Sequence, residues 1–88
     1  MSIDRKLKLA LRAKAHHLKP IIIIGNNGLT EAVHLEIERA LIDHELIKIK
    51  ISTANKDEIT HQICAKRSAD LINNLGSIIT IYRKNPDS

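Results

Sequence analysis

Aromatic residues are almost missing from this sequence, which contains Tyr82 but neither Trp nor Phe. Sheets that stack nucleobases on aromatic side chains, as in RRM domains and OB-folds, are therefore excluded. Cysteine is nearly absent as well, since Cys64 is the only one. A single thiol excludes an intramolecular disulfide and a multi-cysteine zinc site, and it indicates a reducing compartment.

Long apolar runs are missing too, because the longest uninterrupted one is the segment 21–24. A helix that spans a bilayer needs about 20 apolar residues, so the sequence predicts no membrane segment. Its beginning lacks the charged and then apolar pattern of a signal peptide, and we expect a cytoplasmic protein.

Catalytic and cofactor motifs are also absent. The sequence has neither the P-loop pattern nor the glycine fingerprint of dinucleotide-binding folds. Its histidines form no paired zinc motif, because Lys48 stands where the second ligand after His44 would be. No nucleophile is spaced with a base, so we expect no enzyme, cofactor, metal or small-molecule substrate.

Aliphatic residues are abundant and regularly spaced. The 88 residues are 43% hydrophobic, which predicts one domain over 1–84 and a frayed tail over 85–88. Periodicity and turn residues predict helices over 3–17, 31–44 and 55–69, and strands over 21–24, 46–52, 71–75 and 78–84. This order predicts an α/β fold with a mixed four-stranded sheet packed against three helices.

Two of the predicted strands differ in pattern. The segment 21–24 is apolar throughout, which predicts a strand covered on both faces. The segment 46–52 alternates, so that its isoleucines face inward while Lys48 and Lys50 form a basic outer face.

The net charge of +4 is divided unevenly along the chain. Residues 1–24 hold six basic residues and one acidic residue, and residues 48–88 hold seven basic and four acidic ones. Residues 25–47 hold one basic and five acidic residues, so the middle helix is acidic. This division favours a phosphate-binding face more strongly than the net charge alone does.

The strongest turn signal is the segment Gly25-Asn26-Asn27-Gly28. It lies between a predicted strand and a helix start, where backbone amides and the helix dipole attract anions. Both glycines are free to adopt positive φ, and the missing Cβ atoms let a nucleic-acid backbone approach closely. KH domains clamp nucleotides with a loop of this pattern.

Three segments carry a resemblance to a known family: LKPIIIIGNNGLTE at 18–31, HELIKIK at 44–50 and IYR at 81–83. Together they resemble the CRM domain (chloroplast RNA splicing and ribosome maturation), and more narrowly its free-standing bacterial YhbY-like members. The resemblance covers nearly the whole chain. It implies the same order of elements, in a fold similar to the C-terminal domain of translation initiation factor three.

The resemblance also implies an RNA-binding protein that acts in ribosome assembly, on ribosomal RNA in precursors of the large subunit. It implies RNA contact by the glycine loop and by basic positions near the first helix and the second strand. With the basic residues of the first helix, the candidate RNA-binding residues are Gly25, Asn26, Asn27, Gly28, Lys19, Arg5, Lys8, Arg12, Lys48 and Lys50. With one aromatic residue, recognition is expected to depend on RNA shape and backbone more than on base stacking.

The chain departs from the family pattern at two places. Family loops often carry a basic residue between the glycines, whereas both positions are Asn here, so backbone and amide groups must make any phosphate contact. Family members also often carry Gly after the third helix, where this chain has Ser68. An alternative function is a protein-interaction adaptor that binds ribosomal proteins or assembly factors through the acidic second helix.

Overall fold

The computed structural model describes residues 4–86, which form three helices and four strands. The helices are α1 (Arg5–Ala15), α2 (Glu31–His44) and α3 (Lys56–Arg67). The strands are β1 (Ile22–Ile24), β2 (Leu46–Ile51), β3 (Asp70–Leu75) and β4 (Ile78–Tyr82). They form one sheet in the order β1-β2-β4-β3, in which β1 and β2 are parallel and the other neighbours are antiparallel. The predicted fold, a mixed four-stranded sheet with three helices, is confirmed.

Side-chain caps set the beginnings of the first two helices. The carboxylate of Asp4 accepts a hydrogen bond of 3.1 Å from the amide of Lys6. The hydroxyl of Thr30 accepts one of 3.2 Å from the amide of Val33. Each bond satisfies an amide that has no partner within its own helix.

The sheet face under α2 and α3 is closed and apolar. Ile37 and Leu41 of α2 and Ile63 of α3 are fully buried there. The sheet residues that they cover include isoleucines of β2 and β4, each at most 2% exposed: Ile47, Ile49, Ile51, Ile79 and Ile81. The predicted inward-facing isoleucines of β2 are confirmed, and most of the core lies on this side.

The opposite face of the sheet is only partly covered. There α1 packs on β2 and β3 in a small second cluster of Leu11, Ala15, Leu46, Ile72 and Tyr82. Beyond this cluster, Ile23 of β1 is 67% exposed and Leu75 of β3 is 75% exposed. The expectation that the segment 21–24 is covered on both faces is therefore wrong. One face of this segment is exposed because β1 is an edge strand and α1 lies over β2 and β3 instead.

The chain turns at Ser68, where the resemblance described above suggested a glycine. Ser68 adopts the left-handed conformation, with φ of 54°, at the end of α3. The amide of Ala69 then donates a hydrogen bond of 3.0 Å to the carbonyl of Cys64. Serine thus takes the conformation that glycine adopts with less strain, and β3 begins directly afterwards at Asp70.

Asn85 is anchored to the end of α2. Its backbone amide donates a hydrogen bond of 2.7 Å to the carboxylate of Glu45, and its side-chain amide donates one of 2.6 Å to the carbonyl of Ile42. The expected frayed tail therefore does not begin at Asn85. Residues 87 and 88, together with the predicted helix start at residue 3, lie outside the described residues.

Candidate nucleic-acid interface

The glycine loop forms a tight turn between β1 and α2. The amide of Gly28 donates a hydrogen bond of 2.9 Å to the carbonyl of Gly25, and Asn26 and Asn27 occupy the exposed corner positions. Only Gly28 uses its conformational freedom, with φ of +69°, whereas Gly25 has no positive φ. The backbone conformation at position 25 therefore does not require glycine.

The loop leaves open space and free donors on its outer side. A Cβ atom added at Gly25 or Gly28 would meet no heavy atom within 4 Å. Among residues 4–86, no carbonyl or side chain accepts a hydrogen bond from the amide of Asn26 or Asn27. These amides lie close to the start of α2, where the helix dipole adds partial positive charge. Because Glu31 lies in the first turn of α2, full positive charge has to come from another part of the domain.

An open row of side chains crosses the sheet beside the loop. The strand register places Ile23, Lys50, Ile78 and Leu75 next to one another across all four strands. Lys50 is exposed, and within the described part of the chain it forms no salt bridge. Because β1 and β2 are parallel, Lys50 and the glycine loop lie at the same end of the sheet.

A pocket of about 320 Å³ lies at the other end of β1, where α1 ends and β2 begins. Three lysines from separate elements line it: Lys14 of α1, Lys19 of the connection and Lys48 of β2. None of its lining residues is acidic, and His17 and His44 add polar groups. We call this feature the lysine pocket. The predicted residues Lys19 and Lys48 meet here, and Lys14 joins them although the sequence analysis did not select it.

The three candidates on the first helix have different surroundings. Nη2 of Arg12 donates a hydrogen bond of 3.2 Å to the carbonyl of Ile72, at an irregularity in the pairing of β3 with β4. Arg12 is thus partly committed to the fold. Arg5 is exposed and Lys8 is half-buried, and Arg5 lies about 14 Å along the helix from Lys14. The structure therefore does not bring Arg5 to the lysine pocket.

Two arginines form ion pairs with one carboxylate, so their charge is not available to bind an anion. Arg83 donates hydrogen bonds of 2.7 and 2.9 Å to the two carboxylate oxygens of Glu38, and Arg67 donates one of 3.2 Å. The hydrogen bonds from Arg83 in particular lower the pKa of Glu38 to about 2. The network ties α2 to α3 and to the end of β4. The network cannot be predicted from local sequence patterns, because these three residues are far apart along the chain.

Metal ligands, membrane-spanning helices and reactive thiols are the other features to consider in the described part of the chain. Residues 4–86 hold no cluster of three or more potential metal ligands, and no helix among them is long and apolar enough to span a bilayer. Burial, followed by the charge of Asp70, raises the pKa of the half-buried Cys64 thiol. A raised pKa disfavours the thiolate, which is the nucleophilic form.

The chain is similar over nearly its full length to proteins named for RNA binding. A "Probable RNA-binding protein" of Pseudomonas aeruginosa is 43% identical, over 98% of this chain and 86% of the relative. An "RNA-binding protein" of Haemophilus influenzae is 38% identical, over 99% of this chain and 91% of the relative. The solution structure of a hypothetical protein of Staphylococcus aureus, described as a candidate RNA-binding protein, superposes with a TM-score of 0.81. Its sequence is 31% identical to this one, and the superposition covers 96% of this chain and 91% of the Staphylococcus aureus chain.

The model of one protein family matches almost the entire chain. It is the CRS1/YhbY (CRM) domain, and the match runs over residues 3–83. This range contains all three segments on which the resemblance was based, together with the glycine loop and the lysine pocket. The chain belongs to the CRS1/YhbY (CRM) domain family.

Proposed function

We propose that this protein binds structured RNA through the partly open face of its sheet. The observation that carries the proposal is the convergence of Lys14, Lys19 and Lys48 on a pocket whose lining contains no carboxylate. Lysines that are not paired with carboxylates can replace the counterions of a phosphate backbone, and the release of those counterions favours binding. The names of the relatives from Pseudomonas aeruginosa and Haemophilus influenzae support RNA as the partner.

The glycine loop and the lysine pocket contact the RNA at separate points. Lys19 and Gly25 are six residues apart, so an extended chain places them at most about 20 Å from each other. Lys50 lies between them on the open face of the sheet. The lysines attract the phosphates, and this attraction weakens as the salt concentration rises. The loop supplies neutral backbone hydrogen-bond donors at close range.

The biological target is ribosomal RNA in precursors of the large ribosomal subunit, and the protein acts in ribosome assembly in the cytoplasm. Family membership supports this assignment. Sedimentation of a cell extract checks it, because the tagged protein is expected to move with particles that contain immature large-subunit RNA. Sedimentation only with mature ribosomes or only as free protein would contradict the assignment.

The RNA surface is tested by removing equal charge from two sides of the domain. The triple variant Lys19→Ala, Lys48→Ala and Lys50→Ala is compared with Arg39→Ala, Lys66→Ala and Lys84→Ala, whose targets are exposed elsewhere. With a large-subunit RNA fragment, the first variant is expected to reduce the slope of log affinity against log salt concentration by about 2–3. The second variant is expected to keep most of the slope. Equal slopes in the two variants would assign the RNA surface to another part of the domain.

A second candidate function, a protein-interaction adaptor, uses the outer side of α2. Leu35 and Ile42 are 64% and 52% exposed there, and the acidic residues Glu36 and Asp43 are exposed beside them. Such a surface suits a basic ribosomal protein. Digestion with nuclease before sedimentation separates the two functions, because an adaptor keeps its protein partner whereas an RNA-binding protein is released.

A further inference from the structure

We infer that the lysine pocket receives one unpaired nucleotide of the bound RNA. The inference rests on the proposed RNA-binding function and gives the pocket a role in recognition, beyond general attraction of phosphates. It predicts that the protein prefers RNA with a bulged or looped-out nucleotide to a fully paired helix.

The inner surface of the pocket is apolar. Leu18, Ile21 and Leu46 line the pocket together with the lysines, and Leu18 and Ile21 remain 37% and 50% exposed. A phosphate group gains nothing from aliphatic carbon atoms, whereas the flat face of a nucleobase does, through dispersion contacts and loss of apolar hydration. The cationic groups of the pocket therefore match the phosphate of a nucleotide, and its apolar groups match the nucleobase.

The polar groups and the size of the pocket agree with this occupant. Lys14, Lys19 and Lys48 can hold the phosphate, while His17 and His44 can donate hydrogen bonds to a base edge or accept them from it. The volume of about 320 Å³ is close to the lower limit of roughly 300 Å³ for small-molecule sites. A pocket of this size admits one nucleotide, and an unpaired nucleotide enters it more easily than a paired one, whose unpairing and unstacking cost free energy.

The first test compares two RNA hairpins that differ by one bulged nucleotide. The native protein is expected to bind the bulged hairpin about 10-fold more tightly, which corresponds to about 1.4 kcal/mol of binding free energy. Ile21→Trp fills the pocket without changing its charge, so it is expected to remove this preference and to retain affinity for the paired hairpin. Ile42→Trp is the matched control, because Ile42 is 52% exposed against 50% for Ile21 and lies on α2.

The outcomes separate the pocket from the proposed function. Equal affinity of the native protein for the two hairpins would overturn the pocket inference and leave RNA binding intact. Failure to bind either hairpin would overturn the proposed function itself. Persistence of the preference in folded Ile21→Trp would also overturn the inference, since the base would then bind elsewhere.

Nuclear magnetic resonance of the native protein gives a test that needs no variant. The bulged hairpin is expected to shift the backbone amide signals of Leu46 and Lys48 more than the paired hairpin does. Adenosine 5′-monophosphate serves as the probe for a free nucleotide and is expected to shift the same signals only at far higher concentration. Tighter binding of this nucleotide than of the bulged hairpin would overturn the assignment to RNA, as would equal shifts with the two hairpins.

Discussion

The closed and the open face of the sheet are formed by the same strands in alternation. Along β2, Ile47 and Ile49 are at most 2% exposed under the helices, whereas Lys48 is half-buried and Lys50 is exposed on the other side. Apolar burial on one side therefore holds the domain together. The other side keeps charged and apolar groups accessible beside the small cluster under α1, and substitutions at its exposed positions are expected to change binding without unfolding the protein.

The two faces are expected to differ most in how much their side chains contribute to the free energy of unfolding. Leu41→Ala removes a fully buried side chain of the closed face and is expected to lower the free energy of unfolding by about 2–5 kcal/mol. Ile23→Ala, at a position that is 67% exposed, is expected to change it by no more than about 0.5 kcal/mol. Urea denaturation of the two variants measures both values. A similar loss in both variants would show that the open face also contributes to the core.

A smaller effect is expected at the ion-pair network on the helix-covered side. The pKa of Glu38 is about 2 in the folded protein, well below that of an ordinary glutamate, so the fold favours its charged form. Its contribution to stability is therefore complete above about pH 4.5 and is lost as the pH falls toward 2. Because the Glu38 side chain is 33% exposed, solvent screening reduces the effect, and Glu38→Gln is expected to cost about 1–2 kcal/mol at pH 7.

Denaturation at pH 7 and pH 3 checks the role of Glu38. The native protein is expected to lose more stability between these pH values than Glu38→Gln does, because the variant has no carboxylate to protonate at this position. Identical losses would mean that the network with Arg67 and Arg83 does not stabilise the fold. RNA affinity at pH 7 is expected to stay unchanged, since these arginines are already paired.

The smallest expected effect distinguishes the two glycines of the loop. Gly25→Ala meets neither a positive φ nor a close neighbour, so it is expected to change stability by less than about 0.5 kcal/mol and to lower RNA affinity about 5-fold. Gly28→Ala is expected to cost about 1 kcal/mol of stability, because φ of +69° is strained for alanine. Thermal denaturation and RNA titration of both variants measure these changes. Unchanged RNA affinity in Gly25→Ala would remove the loop from the interface.

Local patterns were sufficient for most of the fold. The alternation of isoleucine and lysine in β2 depends on neighbours in the chain, and it was predicted. The apolar segment 21–24 misled the prediction, because its composition is the same whether a helix covers both faces or only one. Arg12 was predicted as an RNA contact, although its guanidinium also holds the carbonyl of Ile72, 60 residues further along the chain.

The sequence by itself determined the order of helices and strands, the inward face of β2 and the tight turn at Gly28, because these follow from spacing and from the conformations that single residues allow. Only the tertiary structure decided which basic side chains are available to bind RNA and which are paired with a carboxylate. Strand order and the packing of α1 across β2 bring Lys14, Lys19 and Lys48 together, and the packing of α2 on the other face of the sheet pairs Arg83 with Glu38. Electrostatic interaction depends on distance in space, which sequence separation does not give.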